Sequence, residues 1–177
     1  YLYVSDEKGE MIVAVTDMSA AKEITPAFLE TKKEIIESAP FLVLDANLDE
    51  ESIQYASRTA KGIVVCDAVS TLKAGRLFSS FPYINILKPN LMELEYLSGV
   101  KTTDEKSIRD AGFALIEKGV GTVVATAGEN GAYYITPNSF IHAYGDKLDV
   151  KNTNGAGDSF LSGFVFALSE GLDEKDS

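Results

Sequence analysis

Two residue types that most metal and disulfide chemistry depends on are nearly missing. Among 177 residues there is one cysteine, Cys66, and one histidine, His142. A single cysteine excludes an intramolecular disulfide and fits a reducing compartment, so a cytoplasmic protein is expected. One Cys and one His cannot assemble a zinc site of the usual kinds. Cys66 lies in the apolar run GIVVCD and reads as a core thiol, and His142, in SFIHAY, reads as a structural or surface residue. Positive charge is scarce as well. Sixteen basic residues face 27 acidic ones, for a net charge of −11. That argues against a nucleic-acid partner, which needs a basic face, and against an anionic membrane surface. No apolar run approaches a membrane span, and no signal-peptide pattern is visible at Tyr1.

Several motifs are absent too. There is no G-x-S-x-G elbow, no G-x-x-x-x-G-K-[ST] loop and no G-x-G-x-x-G after a strand. GAGDSF has Phe160 where a third glycine would stand, which disfavours a dinucleotide-binding oxidoreductase. What is present is ordinary for a globular domain with a real core: 45% hydrophobic and 24% charged residues. The chain starts at Tyr1 inside a strand-like pattern and ends soon after a strong helical pattern, so a piece of a longer protein is expected.

Along the chain, YLYVSDEKGEMIVAVTD reads as two strands joined by a polar turn over Asp6 to Glu10. PAFLETKKEIIESA reads as a helix with Thr25 as N-cap. From Phe41 to Thr126, strand and helix alternate. FLVLD, GIVVCD, INILK and TVVAT are the strands; LDEESIQYASRTA, TLKAGRLFSS, LMELEYLS (stopped by Gly99) and DEKSIRDAGFALIEK (capped near Thr103 and closed by Gly119) are the helices. The strands are continuous apolar runs, the mark of a parallel sheet buried on both faces. ENG carries an Asn-Gly turn signal, and AYYIT and SFIHAY look like edge strands. One α/β domain over residues 1–177 is the simplest reading.

Open α/β sheets bind ligands beyond the carboxyl ends of their parallel strands. Asp45, Asp67, Lys88, Asn90 and the Thr126–Gly128 turn each follow an apolar run and so belong to that edge. The stretch VKNTNGAGDSF adds a second feature. After Gly155, the residues Phe160, Leu161, Phe164, Val165 and Leu168 recur at helical spacing, so a helix starts at or near AGD. Its first N–H groups lack intrahelical partners, and Gly155 and Gly157 leave room for a phosphoryl group to reach them. Asp158 in the first turn could take the proton of an attacking hydroxyl, or could be simply an acidic first-turn residue.

NTNGAGDSFLSGF resembles the C-terminal signature of the ribokinase family of sugar and nucleoside kinases, also called PfkB carbohydrate kinases. KPNLMELEYLSG resembles the family's N-x-x-E element, here Asn90 and Glu93. VVATAGENGAYY resembles its T-x-G-x-x-G turn, here Thr126, Gly128 and Gly131. The three come in the family's order and cover nearly the whole chain.

The resemblance implies a ribokinase-like α/β fold, with a central, mostly parallel sheet flanked by helices. A small β lid would come from residues 1–17, and the chain would be a partial copy of the fold. It implies that Asp158 is the catalytic base and that the amides of Gly155, Ala156 and Gly157 form the anion hole. Asn90 would lie near the phosphates, with Thr126, Gly128 and Gly131 on the ATP side. Glu93 would help to hold Mg²⁺ through water. ATP, Mg²⁺ and a monovalent cation such as K⁺ are the implied cofactors, a sugar or nucleoside the partner, and a homodimer through the lid the implied assembly. The family's leading Asp is Asn152 here.

GEMIVAVTDM, DANLDEESIQ and CDAVSTLKAGRL resemble pseudouridine-kinase-like members, in which a D-P-V-S-x-x-K element follows a central strand. Here that element is Asp67-Ala68-Val69-Ser70 with Lys73. Lys73, and Asp17 at the end of the second strand, are the implied substrate contacts, and pseudouridine is the first choice of acceptor. Ribokinase-, fructokinase- or adenosine-kinase-like specificity, and a catalytically silent binding protein on the same fold, are the alternatives.

Overall fold

The computed structural model describes residues 2–5, 11–145 and 153–172. The expected turn over Asp6 to Glu10, and Asn152, lie outside the described residues. The chain divides into two compact units, one of segments Tyr1–Ala20 and Asp146–Ser177, the other of Ala21–Gly145.

The larger unit holds a six-stranded sheet of β3 (Phe41–Asp45), β4 (Ile63–Asp67), β5 (Ile86–Lys88), β6 (Thr122–Thr126), β7 (Ala132–Thr136) and β8 (Ser139–Ala143), in that spatial order. β3 to β6 are parallel, and β7 and β8 turn back antiparallel. The sheet is thus mostly parallel, as the apolar runs require. Val64, Val65, Cys66, Ile86, Leu87 and Val123 are buried. Burial pushes the Cys66 thiol well up, as befits an inert core residue.

Three local expectations need correction. AYYIT is not an edge strand: β7 lies between β6 and β8 and is mostly buried. β3 is a sheet edge, and Val43 there is half exposed, so this one run is not covered on both faces. The helix expected over PAFLETKKEIIESA is two short helices, α1 (Pro26–Glu30) and α2 (Lys33–Ser38). The Thr31 hydroxyl donates to the Phe28 carbonyl at 2.7 Å where they part. Thr25 does cap α1, accepting from the Phe28 N–H.

Helices α3 (Glu50–Thr59), α4 (Thr71–Ala74), α5 (Leu91–Ser98) and α6 (Glu105–Glu117) fill the connections. α5 ends at Gly99, which takes the left-handed conformation at φ 80°. The cap of α6 is Asp104, one residue beyond Thr103. His142 has the structural role expected of it. Its ring stacks on Tyr133 and Tyr144, and its nitrogens contact Glu105 Oε1 and the Asn130 carbonyl oxygen at 2.7 Å each.

The smaller unit contains the antiparallel pair β1 (Leu2–Ser5) and β2 (Met11–Val15) and the helix α7 (Ala156–Ser169). Leu161 and Phe164 of the expected apolar face are buried, whereas Phe160 is exposed.

Candidate active site

In the larger unit, three neighbouring parallel strands end in register on charged residues. Asp45 pairs with Asp67, and Asp67 with Lys88. One step further, Asn90 and Thr126 form a parallel bridge. The polar residues following the apolar runs therefore make one row along the carboxyl edge of the sheet, where such sheets bind ligands.

The centre of the row is an ion pair. Lys88 Nζ lies 2.7 Å from Asp67 Oδ2, and the two residues are only 5% and 8% exposed. The other Asp67 oxygen accepts the Val69 N–H at 2.9 Å. Val69 has φ 63°, a conformation that β-branched residues avoid, and the Ser70 N–H reaches back to the Ala68 carbonyl at 2.7 Å across it. This strained turn carries the chain from β4 into α4.

On the β3 side, Asn47 links two charges. Its backbone N–H donates to Asp45 Oδ1 at 2.9 Å and its side-chain Nδ2 to Asp45 Oδ2 at 2.8 Å. Its Oδ1 accepts from Lys73 Nζ at 2.5 Å. Arg76 donates from one guanidinium nitrogen to the carbonyls of Ala46, Asn47 and Leu48 at 3.1, 2.9 and 3.1 Å. Lys73 is half-buried.

On the β5–β6 side, Asn90 and Glu93 open α5 with a capping box. Asn90 Oδ1 accepts the Glu93 N–H at 2.9 Å, while the Glu93 carboxylate accepts from Asn90 N at 2.8 Å and Asn90 Nδ2 at 2.9 Å. Glu93 is 3% exposed, and burial raises its carboxyl pKa despite the Asn90 hydrogen bonds. Among the described residues no group of three or more His, Cys, Asp or Glu could hold a metal.

The Thr126 N–H donates to the Pro89 carbonyl, joining the two elements. Beyond it the chain makes a tight turn, Gly128–Asn130, into β7. Gly128 has φ 60° with open space where a Cβ would stand. Gly131 has φ 83°, and a Cβ there would meet the Ala143 carbonyl oxygen at 2.0 Å, so the approach of β8 requires glycine at that position.

In the smaller unit, Gly155 is the N-cap of α7 at φ 74°, with no side-chain cap. The Ala156 N–H donates to the Thr153 carbonyl at 3.2 Å, and the Ser159 N–H is the first to bond along the helix. Gly157 and Asp158 thus present amides at an open helix end. Asp158 is exposed, and its carboxylate bonds to no other described residue. Asp17 is exposed and accepts the Ser19 N–H at 2.9 Å.

The model of the pfkB family of carbohydrate kinases matches residues 1–177. The chain belongs to that family. It is 31% identical over 175 residues to the pseudouridine kinase of Escherichia coli K12, covering 97% of this chain and 56% of that protein. It is 32% identical over 151 residues to a ribokinase of Staphylococcus aureus, covering 85% of this chain and 50% of that one. A crystal structure of ribokinase from Thermotoga maritima superposes with a TM-score of 0.84 at 24% identity, over 97% of this chain and 56% of its own. A putative sugar kinase from Clostridium perfringens superposes with a TM-score of 0.82 at 29% identity, over 98% and 56%. The fold is ribokinase-like, and the chain spans about half the length of the curated relatives it matches.

Sequence reasoning placed Asp45, Asp67, Lys88, Asn90 and Thr126 at this edge but missed how they are joined. It overlooked Asn47 and Arg76. Arg76 bonds backbone carbonyls some thirty positions away, a partnership no side-chain pattern reveals. Asn47 could have been singled out as an amide two residues after a strand-ending Asp, an Asx-turn signal.

Proposed function

We propose that the whole protein transfers the γ-phosphoryl group of ATP to a hydroxyl of a sugar or nucleoside, and that the acceptor is the 5′-hydroxyl of pseudouridine. The observation that carries this reading is the start of α7. An unencumbered carboxylate, Asp158, follows a left-handed glycine and sits beside free helix amides. Asp158 takes the hydroxyl proton as the acceptor oxygen bonds to the γ-phosphorus and the bond from that phosphorus to the ADP oxygen breaks. The turn Gly155–Ala156–Gly157 and the amides that open α7 form the anion hole that receives the phosphoryl oxygens. Those of Gly157 and Asp158 are the best placed, because the Ala156 amide already has the Thr153 carbonyl.

The β5–β6 side serves ATP. Asn90 faces the phosphates, and Thr126 and Gly128 line the nucleotide. Gly131 keeps the turn in shape. Both Glu93 oxygens accept hydrogen bonds from Asn90, so this carboxylate fits magnesium held through water rather than directly. Bound Mg²⁺ supplies neutralising charge for the phosphates. Lys73 and Asp17 serve the acceptor.

The similarity to the E. coli pseudouridine kinase and the Asp67-Ala68-Val69-Ser70 turn with Lys73 support the choice of acceptor. A ribose-like acceptor is the second reading, supported by the similarity to the S. aureus ribokinase. A homodimer through β1 and β2 is part of the proposal. Leu2 faces Val15 and Val4 faces Val13, so these four share one face, each more than half exposed.

The test is ADP release by the full-length protein with Mg-ATP and pseudouridine, uridine, adenosine, ribose or fructose, with Asp158→Asn as control. Turnover selective for pseudouridine and lost in the variant is expected. Turnover with another acceptor discards pseudouridine, and none with any acceptor discards the kinase reading.

A further inference from the structure

We infer that Asn47 is a positioning residue: it holds the Lys73 ammonium at the acceptor end of the site, and Arg76 in turn holds Asn47. This rests on the kinase reading above and names residues that the family motifs do not include. A lysine carries its charge on a flexible four-carbon stem, and α4 is only four residues long. Without a restraint the ammonium would sweep a wide volume. The restraint is the Asn47 side-chain oxygen, and its direction is determined. Asn47 Nδ2 donates to Asp45 Oδ2 at 2.8 Å, so Oδ1 must face the other way, toward Lys73. Turning the amide over would set an NH₂ against an ammonium.

The backbone at Asn47 is held as firmly. The carbonyls of Ala46, Asn47 and Leu48 converge on a single nitrogen of Arg76. Arg76 lies three residues after Lys73, so the segment that carries the ammonium also clamps the loop that holds it. An ammonium has three donors. One goes to Asn47, and no carboxylate of the described residues lies within ion-pair distance of Lys73. A half-buried cation with donors to spare and no counter-ion is suited to oxygens of a ligand.

Its place on the edge selects which ligand. Asn47 and Lys73 belong to the β3–β4 end, Asn90 and Thr126 to the β5–β6 end. β3 and β6 are three strand spacings apart, roughly 14 Å. With the nucleotide at the β6 end, Lys73 meets the acceptor, where hydroxyl or carbonyl oxygens receive its free N–H groups.

The experiment is a double-mutant cycle in the full-length protein, with Mg-ATP and the acceptor that it turns over. Asn47→Ala and Lys73→Ala are each expected to raise the acceptor KM about tenfold, with kcat and the ATP KM within about twofold. The double variant is expected to be no worse than Lys73→Ala, because Asn47 acts through Lys73. A purely structural role would instead make the two losses multiply, to about a hundredfold. That result, an unchanged acceptor KM in Lys73→Ala, or an effect of Asn47→Ala on the ATP KM alone would each overturn the inference while wild-type turnover keeps the kinase reading intact. No turnover by the wild-type protein with any acceptor would overturn both. Should Asn47→Ala lower the Tm enough to blur the kinetics, Asn47→Leu, which keeps the side chain's branched shape and offers the ammonium no oxygen, carries the same cycle.

Discussion

Lys88 and Asp67 face each other from the ends of two adjacent parallel strands, Nζ to Oδ2 at 2.7 Å, both nearly closed off from water. A buried pair adds little net stability, yet removing one partner strands the other. Lys88→Met should therefore cost about 3–5 kcal/mol, read by urea or thermal unfolding. Asp67→Asn combined with Lys88→Met should recover a good part of the loss, since neither charge is then left alone. Additive losses in the double variant would show that the pair is not coupled.

Glu93 links pH to stability. Burial raises its carboxyl pKa in the folded protein. The folded state therefore binds the Glu93 proton more tightly than the unfolded chain does. Its contribution is fully present below the ordinary glutamate range and is lost as pH rises through the raised folded value. Glu93→Gln cannot ionise, so this downward slope should vanish from its stability-versus-pH curve. At neutral pH the variant gains from the absent buried charge and loses one Asn90 hydrogen bond. Identical slopes for wild type and variant would refute the assignment.

The parallel part of the sheet was legible because β4, β5 and β6 are uninterrupted apolar runs ending in polar residues, and nothing else buries both faces of a strand so cheaply in sequence. The order of the antiparallel strands was not. AYYIT contains Tyr133, which an edge could display, but its ring packs against Phe140 and His142 inside the hairpin. At the site, Asn90 and Glu93 were visible as N-x-x-E. Their burial was not, because a capping box looks the same on an exposed helix. Asp45 was seen as a strand end, but its link through Asn47 to Lys73 spans 26 positions from Asn47 and exists only in the folded chain.

The two turn glycines after β6 should separate cleanly. Gly128→Ala meets open space and pays only for its left-handed backbone, about 1–2 kcal/mol. Gly131→Ala adds a collision with the Ala143 carbonyl oxygen to an equally unfavourable φ, and should cost roughly 2–5 kcal/mol. Thermal unfolding ranks them. If Gly128 lines the nucleotide, its variant should raise the ATP KM by more than its small stability loss explains. Equal stability losses at the two positions would contradict the close approach of β8.

The β1–β2 ribbon sets a solvation problem that a second copy would resolve. A two-stranded ribbon is marginal by itself in water. Here Leu2, Val4, Val13 and Val15 form one aliphatic face at 70, 53, 52 and 68% exposure. Pairing two such faces removes all eight side chains from water at once, and a charge in the middle of the face would be forced into that contact. Val4 and Val13 are cross-strand partners and occupy the centre. Val13→Lys should therefore shift the full-length protein from dimer toward monomer in sedimentation velocity, raising the dimer Kd at least about a hundredfold. Ile12→Lys lies on the opposite face of the ribbon and should leave the dimer intact. Equal effects of the two substitutions, or a wild-type protein that is monomeric at all concentrations, would dismiss the β1–β2 ribbon as the dimer contact and leave the kinase reading untouched.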